Sequence, residues 1–99
     1  MTFRLNNLGY NLPELLRRLG YQPRGQTPQG ELDCVRRIQG DYPRFHAYVL
    51  ANPKVVVFNL HLDQKKPSYG SETAHSGDYD SETVKEEAER MKEMIYREY

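Results

Sequence analysis

The stretch from Arg44 to Asp63, RFHAYVLANPKVVVFNLHLD, constrains this chain more than any other. It alternates apolar and polar residues on both sides of an Asn-Pro-Lys break, the pattern of a β-hairpin with one greasy face and one polar face. Folding the two strands about Ala51 to Lys54 sets Phe45 opposite Leu60, Ala47 opposite Phe58 and Val49 opposite Val56, so one face is wholly apolar. The other face collects Arg44, His46, Asn59, His61 and Asp63. Apolar residues on a half-buried sheet are explained by packing alone. A group of imidazole, guanidinium, amide and carboxylate is either solvated surface or a site.

The flanking segments supply the rest of an α+β domain. Leu12, Leu15, Leu16 and Leu19 recur at helical spacing, with Asn11 as N-cap, Pro13 in the first turn and Gly20 just past the end. Tyr21 to Gly30 is rich in proline and glycine and reads as a connector or a loosely paired edge segment. Leu32 to Gln39 reads as a strand, joined to the hairpin by a turn at Gly40 to Pro43. In the expected register Ile38 lies by Phe45, Cys34 by Val49 and Arg37 by His46, which leaves Arg36 pointing inward, by snorkelling or through a bulge. Ser81 to Tyr99 reads as a helix with Val84, Ala88, Met91 and Ile95 on one stripe, and Thr83 with Glu86 at capping-box spacing. The expected architecture is a two-layer α-β-β-β-α domain: a three-stranded antiparallel meander with both helices on one sheet face, in a single domain over residues 1–99.

Residues 64–80 (QKKPSYGSETAHSGDYD) hold no aliphatic side chain larger than Ala74 and show no periodicity, so a long, mobile or functional loop is expected there. Ordering each residue costs about 1–2 kcal/mol in backbone entropy, which a metal, ligand or partner would have to offset.

Composition narrows the function classes. Fourteen basic residues balance 14 acidic ones, so no global field favours nucleic acid or an anionic membrane, and any such partner must meet a local patch. No long apolar run or signal-like start appears, so a soluble cytoplasmic protein without membrane contact is expected. The single cysteine, Cys34, excludes an internal disulfide and reads as a buried structural residue, with no disulfide-linked partner expected.

The order of elements, the amphipathic ELLRRLGY (Glu14 to Tyr21), the VRR strand (Val35 to Arg37) and a histidine in the second strand resemble HicA-like proteins on the double-stranded-RNA-binding fold. HicA toxins are small mRNA-cleaving ribonucleases paired with an antitoxin. The resemblance implies a catalytic role for the second-strand histidine, which corresponds to His46.

Three chemistries are consistent with the polar face. In the first, His46 and His61 are proton-transfer residues acting on RNA while Arg37 and Arg44 hold phosphate; imidazole titrates near neutrality and guanidinium presents a planar fork to phosphate oxygens. In the second, His61 and Asp63 alternate onto one face and share a metal with His75 from the long loop, zinc being the ion such ligands suit, although only two of the ligands are linked by strand geometry. In the third, the domain carries no chemistry and binds a macromolecular partner, with a protein favoured over RNA. Tyr48, Asn59, Tyr69 and Tyr79, with Arg37 and Arg44, then form the contact surface. The residues favour this third reading over catalysis, and no cofactor is required by it.

Overall fold

The computed structural model describes residues 1–64, 77–78 and 81–99. The element order is β1 (Thr2–Asn6), α1 (Leu12–Arg18), β2 (Gln22–Gln26), β3 (Leu32–Arg37), β4 (Arg44–Ala51), β5 (Val55–Asp63), the two-residue β6 (Gly77–Asp78) and α2 (Glu82–Glu98). The fold is α+β, and its antiparallel sheet runs β1-β5-β4-β3-β2, with β6 pairing beyond β1 on the same edge of β5.

The expected meander is therefore the centre of a wider sheet. β1 and β6 lie outside the expected elements, while β2 is the loosely paired edge segment that Tyr21 to Gly30 left open. β1 alternates buried Phe3 and Leu5 with exposed Thr2, Arg4 and Asn6, and Phe3 stacks on Phe58 with ring centroids 4.7 Å apart. β2 has almost no apolar content and pairs only as an edge, with an irregularity between Pro23 and Gly25. A proline and a bulge are tolerated there because an edge strand leaves half of its backbone groups unpaired.

The hairpin register differs from the expected one by two residues. Asn52 Oδ1 accepts from the backbone N–H of Lys54 at 2.9 Å and of Val55 at 2.8 Å, closing a tight turn at Pro53-Lys54. Ala51 then pairs with Val56, Ala47 with Leu60 and Phe45 with Leu62. A slip of two preserves which face each side chain takes, since the strand period is two. It changes who faces whom: His46, which a turn one residue earlier would set against Asn59, lies directly opposite His61. β3 is displaced likewise, with Arg36 opposite Phe45 and Cys34 opposite Ala47. Ile38 is outside the strand and 48% exposed, not against Phe45. Cys34 is fully buried, and burial pushes its thiol up to about 12.

Both helices contribute to one core. Leu15, Leu16 and Leu19 from α1 and Val84, Ala88, Met91 and Ile95 from α2 join Phe45, Ala47, Val49, Phe58 and Leu60 in a single buried cluster. α1 starts where Asn11 Oδ1 accepts from Glu14 N–H at 3.2 Å. It ends as Gly20 N–H donates to Arg17 O and Tyr21 N–H to Leu16 O, the paired bonds of a Schellman motif. Gly20 has φ +95° and lies so close to Arg36 that a Cβ would sit 3.0 Å from its Cδ. For α2 the N-cap is Ser81, whose hydroxyl accepts from Val84 N–H at 3.3 Å, and not Thr83.

The inward Arg36 has a partner that the apolar stripe concealed. Glu87, three residues after Val84 and four before Met91, occupies the same buried side of α2 and is 3% exposed. Arg36 donates Nε and Nη2 to its two carboxylate oxygens at 2.9 Å each, Arg90 donates Nε at 2.7 Å, and Tyr21 Oη donates at 2.6 Å. Arg90 Nη2 also reaches Leu19 O at 2.7 Å, tying α2 to the end of α1. Burial opposes the charge on Glu87, but bonds from Arg90, Arg36 and Tyr21 outweigh it and hold the carboxyl below its ordinary 4.5.

Candidate metal centre on the polar sheet face

The strand registers arrange the polar face in rows. Arg37, Arg44 and Asp63 form one row across β3, β4 and β5; Val35, His46 and His61 form the next; Asp33, Tyr48 and Asn59 form the third. Directly opposite residues in an antiparallel pair share a face, so these three rows are one continuous surface. Its middle is not solvated: His46 is 7% and His61 8% exposed.

Asp63 joins the rows. Its Oδ2 lies 3.0 Å from His46 Nδ1 and its Oδ1 2.9 Å from His61 Nε2. Arg44 Nε donates to Oδ2 at 3.2 Å, and the Arg44 guanidinium lies 4.6 Å from the centre of the Tyr42 ring. Burial disfavours charge on Asp63, yet hydrogen bonds with His46 and His61 prevail and keep its carboxyl far below the usual carboxylate range. Asp63 is a carboxylate at any physiological pH.

His46 is held from both sides. Its Nε2 lies 2.6 Å from Asp33 Oδ1, while Nδ1 faces Asp63. A neutral imidazole carries one N–H, so it donates to only one of these carboxylates. Something positive must lie between the other nitrogen and its oxygen: a second proton or a metal ion. The His46 and His61 rings are 4.8 Å apart, and Tyr48 lies against both, at 4.6 Å from His46 and 5.9 Å from His61.

The ligand-capable atoms of His46, His61 and Asp63 all fall within 4.8 Å of one another. Tetrahedral zinc with bonds of about 2.0–2.1 Å places neighbouring ligand atoms about 3.3 Å apart. The two contacts of Asp63 would lengthen by a few tenths of an ångström to admit it, while the widest ligand pair, 4.8 Å apart at most, would close by about 1.5 Å. Asp33 completes the arrangement, because a metal-bound histidine commonly donates its other N–H to a carboxylate, which fixes the tautomer and ring orientation.

No family model, curated protein or solved structure matches this chain. The likeness to HicA-like proteins thus rests on the short segments quoted above.

Of the sequence-predicted site residues, His46, His61, Asp63, Arg44, Tyr48, Asn59 and Arg37 share the polar face. Asn59 stands at the rim, where its Oδ1 accepts from Thr2 Oγ1. Arg37 bonds Gln22 Oε1 at 2.8 Å and does not lie against His46; its cross-strand neighbour is Arg44. The metal set expected from His61, Asp63 and His75 gains His46 in its place among the described residues, while His75, Tyr69 and Tyr79 lie outside them. Asp33 was missed. Its alternation with Val35 and Arg37 was visible, but only the true register brings it beside His46.

Proposed function

We propose that this chain is a metal-binding protein: a two-layer domain, helices on one side of its sheet, that presents a zinc-class divalent centre on the other. His46 Nδ1, His61 Nε2 and the Asp63 carboxylate are the ligands, and Asp33 orients His46. The observation that carries the reading is His46 placed between two carboxylates, with His61 closing on one of them. Three protein ligands leave a coordination position for water or substrate, which is the pattern of zinc sites that act on ligands and not of purely structural ones. Arg44, donating to the same carboxylate, steadies the ligand without competing for the ion.

Titration calorimetry of zinc into chelator-treated protein tests this reading. One saturable site is expected per chain, lost in both His46→Ala and Asp63→Asn, with circular dichroism confirming that each variant is folded. Zinc uptake unchanged in both variants, or absent from the native chain, would refute it.

A second reading draws on the same pair. His46 and His61, directly opposite and bridged by Asp63, also have the arrangement of two proton-transfer groups, as RNA cleavage of the HicA type would use. Cleavage of a structured RNA that persists in excess chelator and disappears in His46→Ala would favour this alternative.

A further inference from the structure

Next to the histidine row lies a pair of arginines, of which the metal centre accounts only for the Arg44 bond to Asp63. Arg37 and Arg44 are directly opposite each other in the β3–β4 register. Like charges so placed are destabilising unless something negative is shared between them. Asp63 answers Arg44 through Nε alone, and no other hydrogen bond is made by the Arg44 side chain among the described residues. Arg37 gives Nη1 to Gln22 Oε1 at 2.8 Å and Nε to Asp41 at 3.5 Å, but Asp41 is 85% exposed at the side chain, and such a pair is weak in water. Two guanidiniums therefore retain donors on the row beside His46, two residues or about 7 Å along the strand. Tyr42 packs against one of them and restricts its motion.

Resting on the metal reading above, we propose that the ligand completing the centre is a phosphate monoester, one oxygen on the metal and the others held by Arg37 and Arg44. The chemistry of the surface selects that class. A planar guanidinium pairs two N–H groups with two phosphate oxygens, and the remaining oxygen is a hard donor suited to the open metal position. Charge selects the monoester over the diester. With neutral histidines, the dication and two guanidiniums exceed Asp33 and Asp63 by two charges, which the exposed Asp41 beside Arg37 offsets only in part because water screens it. A monoester near neutral pH carries close to two negative charges, since its second ionisation falls near pH 6, whereas a diester carries one.

Cobalt(II) in place of zinc makes both steps visible, because a tetrahedral histidine–carboxylate site gives it intense visible absorption. Cobalt is added to the full chain first, and phenyl phosphate is then titrated in. The expected result is a visible spectrum on cobalt addition, lost in Asp63→Asn, followed by a saturable spectral change with phenyl phosphate. Arg37→Gln, which touches no metal ligand, should leave cobalt uptake unchanged and weaken phenyl phosphate about tenfold. Dimethyl phosphate should bind at least tenfold more weakly than phenyl phosphate. A normal cobalt spectrum that phenyl phosphate leaves unmoved, equal affinity in Arg37→Gln, or equal affinity for the diester would overturn the phosphate assignment while the metal reading stands. Absence of the cobalt spectrum would overturn both.

Discussion

Two carboxylates on opposite sides of the same sheet, Glu87 buried and Asp63 half-buried, make different use of similar surroundings. Glu87, on the helix side, is surrounded by Arg36, Arg90 and Tyr21. Asp63, on the other side, is surrounded by His46, His61 and Arg44. Each carboxyl is held below its ordinary range by its donors against the opposing effect of burial. The partners differ in what else they can do. A guanidinium is permanently charged and offers no lone pair, so the Glu87 network can only fasten elements together. A neutral imidazole offers a lone pair, so the Asp63 network can take a metal where the Glu87 network cannot. The first network spans β3, α2 and the end of α1, where a fastening is needed; the second lies within adjacent strands already joined by backbone bonds.

The largest effect that would break the comparison is on the helix side. Glu87→Gln leaves two arginines without their anion, and because both are about a third exposed and can be hydrated it should cost about 3 kcal/mol in urea unfolding, with little change in zinc affinity. The same residue sets a pH dependence. Its folded carboxyl titrates below the ordinary 4.5, so its contribution to stability is fully present above that value and is lost as pH falls through and below it. Unfolding midpoints measured between pH 7 and pH 3 should fall in the native chain and fall less steeply in Glu87→Gln.

On the polar side the effect is conditional on metal. Zinc at a free concentration one hundred times its dissociation constant should stabilise the native chain by about 2.7 kcal/mol, seen as a higher thermal midpoint that chelator reverses. Asp63→Asn should show no such rise. Asp33→Asn keeps all three ligands but removes the carboxylate that orients His46, and should weaken zinc about 10–100-fold with an unaltered fold, measured by competition with a chromogenic chelator. The smallest effect is expected at Gly20. Alanine there must adopt φ near +95° and press on Arg36, at a cost of about 1–2 kcal/mol and with no effect on zinc.

The sequence made side-chain faces more legible than side-chain partners. Alternation in the Arg44–Asp63 stretch assigned every residue to its correct face, because a two-residue register slip leaves face parity intact. That slip decided whether His46 met Asn59 or His61, and it depended on the Asn52 side chain closing a turn one residue further along the chain than the Ala51–Lys54 loop. β1 carries the alternation TFRLN over only five residues, a weak signal, whereas β2, with Gln, Pro, Arg and Gly, has no strand alternation of its own and pairs because β3 offers it an edge. Glu87 was hidden by the usual reading of a helical stripe as apolar. The awkward inward Arg36 was its one outward sign, since a guanidinium turned toward the core calls for a carboxylate there.

X-ray absorption at the zinc edge of the loaded protein and of His61→Ala tests the metal centre most directly. The account predicts nitrogen and oxygen ligands at about 2.0–2.1 Å with imidazole scattering that falls by one histidine in the variant. A zinc shell of oxygens alone, or imidazole scattering unchanged by His61→Ala, would contradict it.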